Sequence, residues 1–279
     1  MKNTIRSSYH RIIKRGIAGI TASSRVLPDF IIIGTARSGT TSLFYNICEH
    51  PCVIPAAYDE IGFFDSNYHL GLNWYRSMFP TKKHMEKVKK NTEFAITGED
   101  TPFYIWSPTV ARRILKIIPN VKLIVLFRNP VDRAYSNYHL GVRAGSENLS
   151  FEDAIQFELD SLKNSEIESD DDVKKYTIPR SYIAKGFYAD QLKIWLKLFK
   201  SEQLFITSTE DFESNTENIL NKIYDFLEIP QINLKNLEKH KVASYPPMKD
   251  ETRKFLVDLY KTHNEELFEM ISKEFDWNK

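Results

Sequence analysis

Between Phe30 and Leu43 the chain reads FIIIGTARSGTTSL, an apolar β-branched run that breaks into two glycines, an arginine and a string of hydroxyl residues. Gly34 and Gly39 can take backbone conformations that a side chain disfavours. Successive N–H groups can then converge on one point at the positive end of a following helix, which is the architecture of an anion cradle. Thr40, Thr41 and Ser42 add hydroxyl donors there, and Arg37 adds a planar cation suited to phosphate or sulfate oxygens. The loop departs from the ATP-hydrolysing form G-x-x-x-x-G-K-[ST], because Thr40 stands where that form has lysine. A second apolar run, Val121 to Phe127, is where an NTPase would carry a magnesium-holding aspartate, yet it runs into Arg128-Asn129-Pro130. Metal-free transfer from an anionic nucleotide fits these residues better than ATP hydrolysis, and no metal ligand set is expected.

A second polar cluster, RNPVDRAYSNYH, runs from Arg128 to His139. Asn129 is a good N-cap, Pro130 suits the first helical position and Asp132 stands at capping-box spacing, so Arg128 is expected at the mouth of a helix. Ser136 lies nearly two turns inside. Both face one ligand only if that ligand lies alongside the helix. His139 follows Ser136 by three residues and shares its face. Arg128 could equally form an ion pair with a carboxylate, and a lone helical histidine is more often structural than catalytic.

The two loops, in this order, resemble those of sulfotransferases that use 3′-phosphoadenosine 5′-phosphosulfate (PAPS), in particular the heparan-type carbohydrate enzymes and their bacterial relatives. GTARSGTT is similar to that family's 5′-phosphosulfate loop, and RNPVDRAYSNYH to its 3′-phosphate motif. GLNWYRSMFP, GEDTPFYI and SYPPM are weaker family-like stretches, so the resemblance runs from about Asp29 to the C-terminal helix. It implies that Arg37, Ser38, Gly39, Thr40, Thr41 and Ser42 hold the 5′-phosphosulfate and that Arg128 and Ser136 hold the 3′-phosphate. Lys241, Ser244 and Tyr245 match a late loop that closes over the nucleotide in relatives. Glu60, in YDEIGFF, matches the glutamate many members use as general base, although Asp59 precedes it where relatives often have lysine. Asp59 and Glu60 could instead be an exposed loop pair. Arg37 occupies the position of a catalytic lysine in the heparan-type enzymes, and arginine hardly releases a proton. His139 lies one position from a histidine of some carbohydrate enzymes. The resemblance thus implies sulfuryl transfer from PAPS to an acceptor hydroxyl or amine, most naturally on a carbohydrate or glycoconjugate, with release of adenosine 3′,5′-bisphosphate. A P-loop kinase or NTPase, and a silent nucleotide-binding module, are the competing readings.

A chain of 279 residues that is 42% hydrophobic can bury one large core without dividing. The expected organisation is an N-terminal extension over 1–28 and a single domain over 29–279. A net charge of +1 gives no overall field for a polyanion, and a nucleic-acid partner is not expected. Cys48 and Cys52 read as small buried residues rather than a disulfide or zinc pair. No stretch approaches the roughly 20 apolar residues needed to span a bilayer, and a cytoplasmic location is expected. Arg6, Arg11, Lys14 and Arg15 among Ile12, Ile13, Ile17 and Ile20 could form a short amphipathic helix touching a membrane, or a solvated or packed extension.

Strand-like and helix-like segments alternate, which predicts a P-loop-like three-layer α/β fold with a central parallel sheet flanked by helices. Strands are expected at Phe30 to Ile33, Cys52 to Ile54, Ala95 to Gly98, Lys122 to Phe127 and Leu204 to Thr207. Helices are expected at Thr40 to His50, Leu72 to Met78, Pro108 to Ile117, Pro130 to Val142, Phe151 to Leu162, Ala189 to Phe199, Glu217 to Leu227 and Asp250 to Glu274. Ser161 to Lys175, with its run of three aspartates, reads as an exposed connection. Trp195 has core spacing, whereas Trp106, after TPFY, is placed to touch adenine or acceptor.

Overall fold

The computed structural model describes residues 21–164, 180–232 and 245–277. Five strands, β1 (Phe30–Gly34), β2 (Val53–Pro55), β3 (Ile96–Asp100), β4 (Lys122–Phe127) and β5 (Leu204–Ser208), form one sheet in the order β2-β3-β1-β4-β5. Every pairing is parallel, with Phe30 opposite Gly98 and Lys122, and Ile32 opposite Asp100 and Ile124. A parallel sheet is covered on both faces, which is why β1 is apolar at successive positions and buried throughout. Its alternation divides the core. Phe30 and Ile32 pack with Leu43, Phe44 and Ile223 on one side; Ile31 and Ile33 pack with Tyr104, Ile114 and Trp195 on the other. The Phe30 ring leaves no room for a side chain at position 98, where a Cβ would lie 2.3 Å from it.

The helices are α1 (Thr40–Cys48), α2 (Gly71–Arg76), α3 (Lys82–Thr92), α4 (Pro108–Ile117), α5 (Pro130–Arg143), α6 (Phe151–Asn164), α7 (Tyr188–Leu198), α8 (Thr209–Ser214), α9 (Thr216–Leu227) and α10 (Asp250–Ile271). All five expected strands and eight expected helices are present, with ends shifted by a few residues. α3 and α8 were not expected. α3 has no buried residue and only Met85 and Val88 as an apolar signal among its lysines, and α8 is six residues long, opened by the Ser208 hydroxyl accepting from the Asp211 amide. α6 takes in Ser161–Asn164 from the segment expected to be a connection, and the remainder of that segment lies outside the described residues. So does the basic N-terminal segment over 6–20.

α5 begins at Asn129 as expected, with its side-chain oxygen accepting from the Val131 amide at 3.0 Å. The capping box does not form. The Asn129 amide donates to Glu210 at 2.9 Å, and Asp132 pairs with Arg253 of α10 instead. Cys52 is buried, Cys48 half-buried, and both are unpaired; burial pushes their thiols up to about 11 and about 12. His50, which the sequence did not associate with them, places Nδ1 3.0 Å from the Cys52 sulfur.

Candidate active site

β1, β3 and β4 end side by side, and the loops that leave them carry most of the candidate residues. The β1 loop is drawn down onto the sheet. The Thr35 amide donates to Leu126 at 2.9 Å, and the Thr35 and Ser38 hydroxyls lie 2.6 Å apart. Ser38 is buried, so it offers the loop its backbone, while its hydroxyl is spent inward. From the other side the Thr209 hydroxyl sits 2.7 Å from the Ser38 carbonyl and 2.9 Å from that of Phe127, tying the loop to the end of β4. Gly39, at φ 84°, then caps α1, whose first turn presents Thr40, Thr41 and Ser42. Thr40 is buried, Ser42 half-buried and Thr41 exposed.

Two charged candidates stand in the left-handed region: Arg37 at φ 77° and Glu60 at φ 50°. Non-glycine residues hold such angles at a cost of about 1 kcal/mol or more, and those that do concentrate at functional sites. Arg37 crosses to the second loop. Its guanidinium donates to the Ser136 hydroxyl, 3.0 and 3.3 Å from its two nearest nitrogens, and Arg128 donates back to the Arg37 carbonyl at 3.1 Å. The sequence assigned Arg37 to one anion loop and Ser136 to the other; the fold joins them. Burial holds the Arg37 guanidinium below its ordinary range, and the neighbouring charges of Arg143, Arg128 and Arg133 add to the effect. Such a gathering of like charge is costly unless an anion joins it.

Arg143 was missed by sequence reasoning. It follows Ser136 by seven residues, two helical turns along the same face of α5, which is a signal the spacing does contain. Arg128 makes no ion pair with a carboxylate among the described residues; its guanidinium donates to the Arg37 carbonyl of the first loop. His139 shares the Ser136 face but sits among aromatic rings, stacked on Tyr245 at 4.6 Å and edge-on to Tyr135 at 4.4 Å. Its Nε2 is buried without a partner among the described residues, and burial together with Arg143 holds the imidazole below its usual range, which favours the neutral form. Tyr245 therefore lies beside the second loop, while Lys241 and Ser244 lie outside the described residues.

Glu60 is an exposed carboxylate beyond β2, anchored through its amide to the Asp100 carbonyl at 2.9 Å. Burial and then Asp59 raise its proton affinity above that of an ordinary glutamate, and Arg37 acts in the opposite direction. Asp59 accepts from the Tyr45 hydroxyl at 2.5 Å. Glu60 and Arg37 are thus electrostatic neighbours, a base beside a cation. Asp100, at the end of β3, was missed because β4 was taken as the strand to inspect for an acid; both strands flank β1. Trp106 carries Lys185 over its ring at 4.6 Å and touches Phe103, whereas Trp195 is core, donating to the Ile105 carbonyl at 3.0 Å. Among the described residues, one group of side chains is spaced to hold a metal ion, namely Asp190, His263 and Glu266, and Lys193 already pairs with Glu266.

A helix N-terminus beneath a glycine-flanked loop at the end of the central strand, in the order 2-3-1-4-5, defines a P-loop-like nucleotide- or anion-binding protein. A solved sulfotransferase from Alicyclobacillus acidocaldarius has the same fold, with a TM-score of 0.70 at 24% identity over 91% of this chain and 100% of that one. The chain belongs to the sulfotransferase domain family, whose model matches residues 27–278. It is 29% identical to a membrane-associated sulfotransferase, kil1, of Dictyostelium discoideum, over 90% of this chain and 66% of that protein. It is also 29% identical to the bifunctional heparan sulfate N-deacetylase/N-sulfotransferase 4 of Mus musculus, over 88% of this chain and 30% of that protein. The chain thus spans about two thirds of the first relative and under a third of the second. Among the described residues no helix is long and apolar enough to cross a membrane.

Proposed function

We propose that the protein moves a sulfuryl group from PAPS to a hydroxyl or amine of a carbohydrate or glycoconjugate, releasing adenosine 3′,5′-bisphosphate. The observation that carries this reading is the junction of Arg37, Ser136 and Arg128, in which the two anion loops meet with Arg143 close by. A ligand with phosphates at both ends of a nucleoside uses both loops at once; an ordinary adenylate uses one. The backbone of the first loop, with Thr40, Thr41 and Ser42, receives the 5′-phosphosulfate, and Arg128, Ser136 and Arg143 receive the 3′-phosphate. Lys241, Ser244 and Tyr245 close over the nucleotide. When PAPS seats, Arg37 has an anion to pair with in place of a neutral hydroxyl and stabilises the charge that develops on the departing phosphate.

Glu60 takes the acceptor's proton. Its raised proton affinity makes it a better proton acceptor than an ordinary glutamate. The relatives named for heparan sulfate support a carbohydrate acceptor, and the transfer itself calls on cations and backbone donors of the two loops. We place the single domain over 29–279 and the reaction in the cytoplasm, with the two free thiols as support for a reducing setting.

Calorimetry with adenosine 3′,5′-bisphosphate and with AMP tests the donor site. The loss of an ionic hydrogen-bonding phosphate should cost roughly 1.5–3 kcal/mol, about ten- to a hundredfold in affinity. Arg128→Ala should erase most of that difference by weakening the bisphosphate alone. Equal affinity of the native protein for the two nucleotides would remove PAPS as the donor.

A further inference from the structure

Asp100 is a group that the reaction above leaves idle. It ends β3 opposite Ile32, on the sheet face covered by α1, and is 1% exposed. Neither carboxyl oxygen meets a partner in full hydrogen-bond geometry among the described residues, and the hydroxyl that lies beside it is that of Thr40. A buried polar group left in that state is destabilising, so one that persists asks for a use. Burial, and then the Glu60 carboxylate, push its proton affinity well above the ordinary range; the Thr40 hydroxyl beside it acts in the other direction. Asp59 from the Glu60 loop, Glu99 on its own strand, and Tyr45 and Cys48 of α1 are the remaining titratable groups that face it. Carboxylates face this buried carboxyl and no cation bonds to it among the described residues, which favours its protonated form. Its backbone carbonyl accepts the Glu60 amide, so the two carboxyl-bearing residues hang from one hydrogen bond.

Sulfuryl transfer leaves charge on the phosphate oxygen that departs. The cation of the first loop is an arginine, which stabilises that charge without giving up a proton. The nearby acid with a proton to give is separated from the cradle by a single hydroxyl. We propose that Asp100 is a positioning residue that supplies a proton to the departing phosphate through the Thr40 hydroxyl, on the opposite side of the reaction from Glu60. This rests on the donor assignment above.

As the bond from sulfur to the bridging oxygen breaks, its electron pair stays on that oxygen, which takes the Thr40 hydroxyl proton. Thr40 is reprotonated by Asp100, now a carboxylate. On the other side the acceptor's O–H or N–H proton passes to Glu60 as the new bond to sulfur forms. Glu60 then holds one proton more than before and Asp100 one fewer, and exchange between the adjacent carboxyls restores the starting state. The net result moves the acceptor's proton to the product phosphate, and no further reactant is consumed.

The test compares the native protein with Asp100→Asn in three measurements: bisphosphate affinity, the pH profile of single-turnover transfer, and the infrared band of a protonated carboxyl at about pH 8. Affinity should stay within about threefold while transfer falls roughly 10²–10⁴-fold, the usual reach of a general acid. The native rate should decline on the alkaline side with loss of one proton, a limb missing from the variant, and the carboxyl band should be present only in the native protein. Transfer by the variant at the native rate, an alkaline limb that survives the substitution, or no band in the native protein would each overturn the proposal. If the variant fails to fold, the native profile decides, and a rate that stays level to about pH 10 refutes it. Absence of bisphosphate binding in the native protein overturns the donor assignment and this proposal together; a missing band overturns this proposal alone.

Discussion

In the proposed reaction Glu60 is the base: it is an exposed carboxylate with raised proton affinity that interacts with the Arg37 cation. Glu60→Gln preserves shape and removes the proton acceptor. Single-turnover transfer should fall roughly 10²–10⁴-fold while bisphosphate affinity holds, measured on the same preparation. In the native protein the rate should fall as pH drops through the Glu60 titration, which lies above that of an ordinary glutamate, and the variant should lose this acid limb. Near-native transfer by the variant would shift suspicion to His139, whose lowered proton affinity favours a neutral imidazole beside the second loop. At this scale the sequence conveyed the cast better than the contacts. Residue types and spacing named Arg37, Ser136 and Arg128, yet nothing along the chain says that Arg37 crosses to Ser136, because that depends on how the ends of β1 and β4 lie side by side.

The elements were legible wherever burial imposes a period. The five strands and the amphipathic helices announce themselves through apolar repeats and caps, while α3 has only Met85 and Val88 to mark a face and α8, at six residues, is too short to show a repeat. Strand order is what the sequence withholds, and it was the reason that β3 was passed over. β3 carries two acids on opposite faces. Glu99 accepts from Tyr75 at 2.5 Å and Thr101 at 2.8 Å, and burial raises it to about 7 from an ordinary 4.5. The folded state therefore keeps a proton that the unfolded chain releases. Stability from this group is full below pH 4.5 and is lost as pH rises to about 7, a change of up to about 3 kcal/mol. Urea unfolding at about pH 5 and about pH 7 should show the decline, and Glu99→Gln should lessen it, leaving the part due to Asp100, which has the same sign. An identical slope in the variant would remove Glu99 from the linkage.

Across the whole molecule the candidate ligand site draws on β1, β3, β4, α1 and α5, so a nucleotide that engages both loops braces the centre of the sheet. Bisphosphate at about a hundred times its dissociation constant should add about 2.7 kcal/mol, a rise of roughly 5–10 °C in Tm for a domain of this size. AMP at the same concentration should give a markedly smaller rise in a thermal scan, and equal shifts would contradict use of the second loop. The gathering of Arg37, Arg128, Arg133 and Arg143 has a practical side as well. A pocket of concentrated positive potential draws in whatever small dianion is abundant, and its attraction weakens as added salt shortens the screening length. Preparations held in phosphate or sulfate buffer will arrive with the pocket partly filled, so nucleotide association will look slower and weaker than in a chloride buffer of equal ionic strength, and the choice of storage buffer becomes a hidden competitor in every affinity measured on this protein.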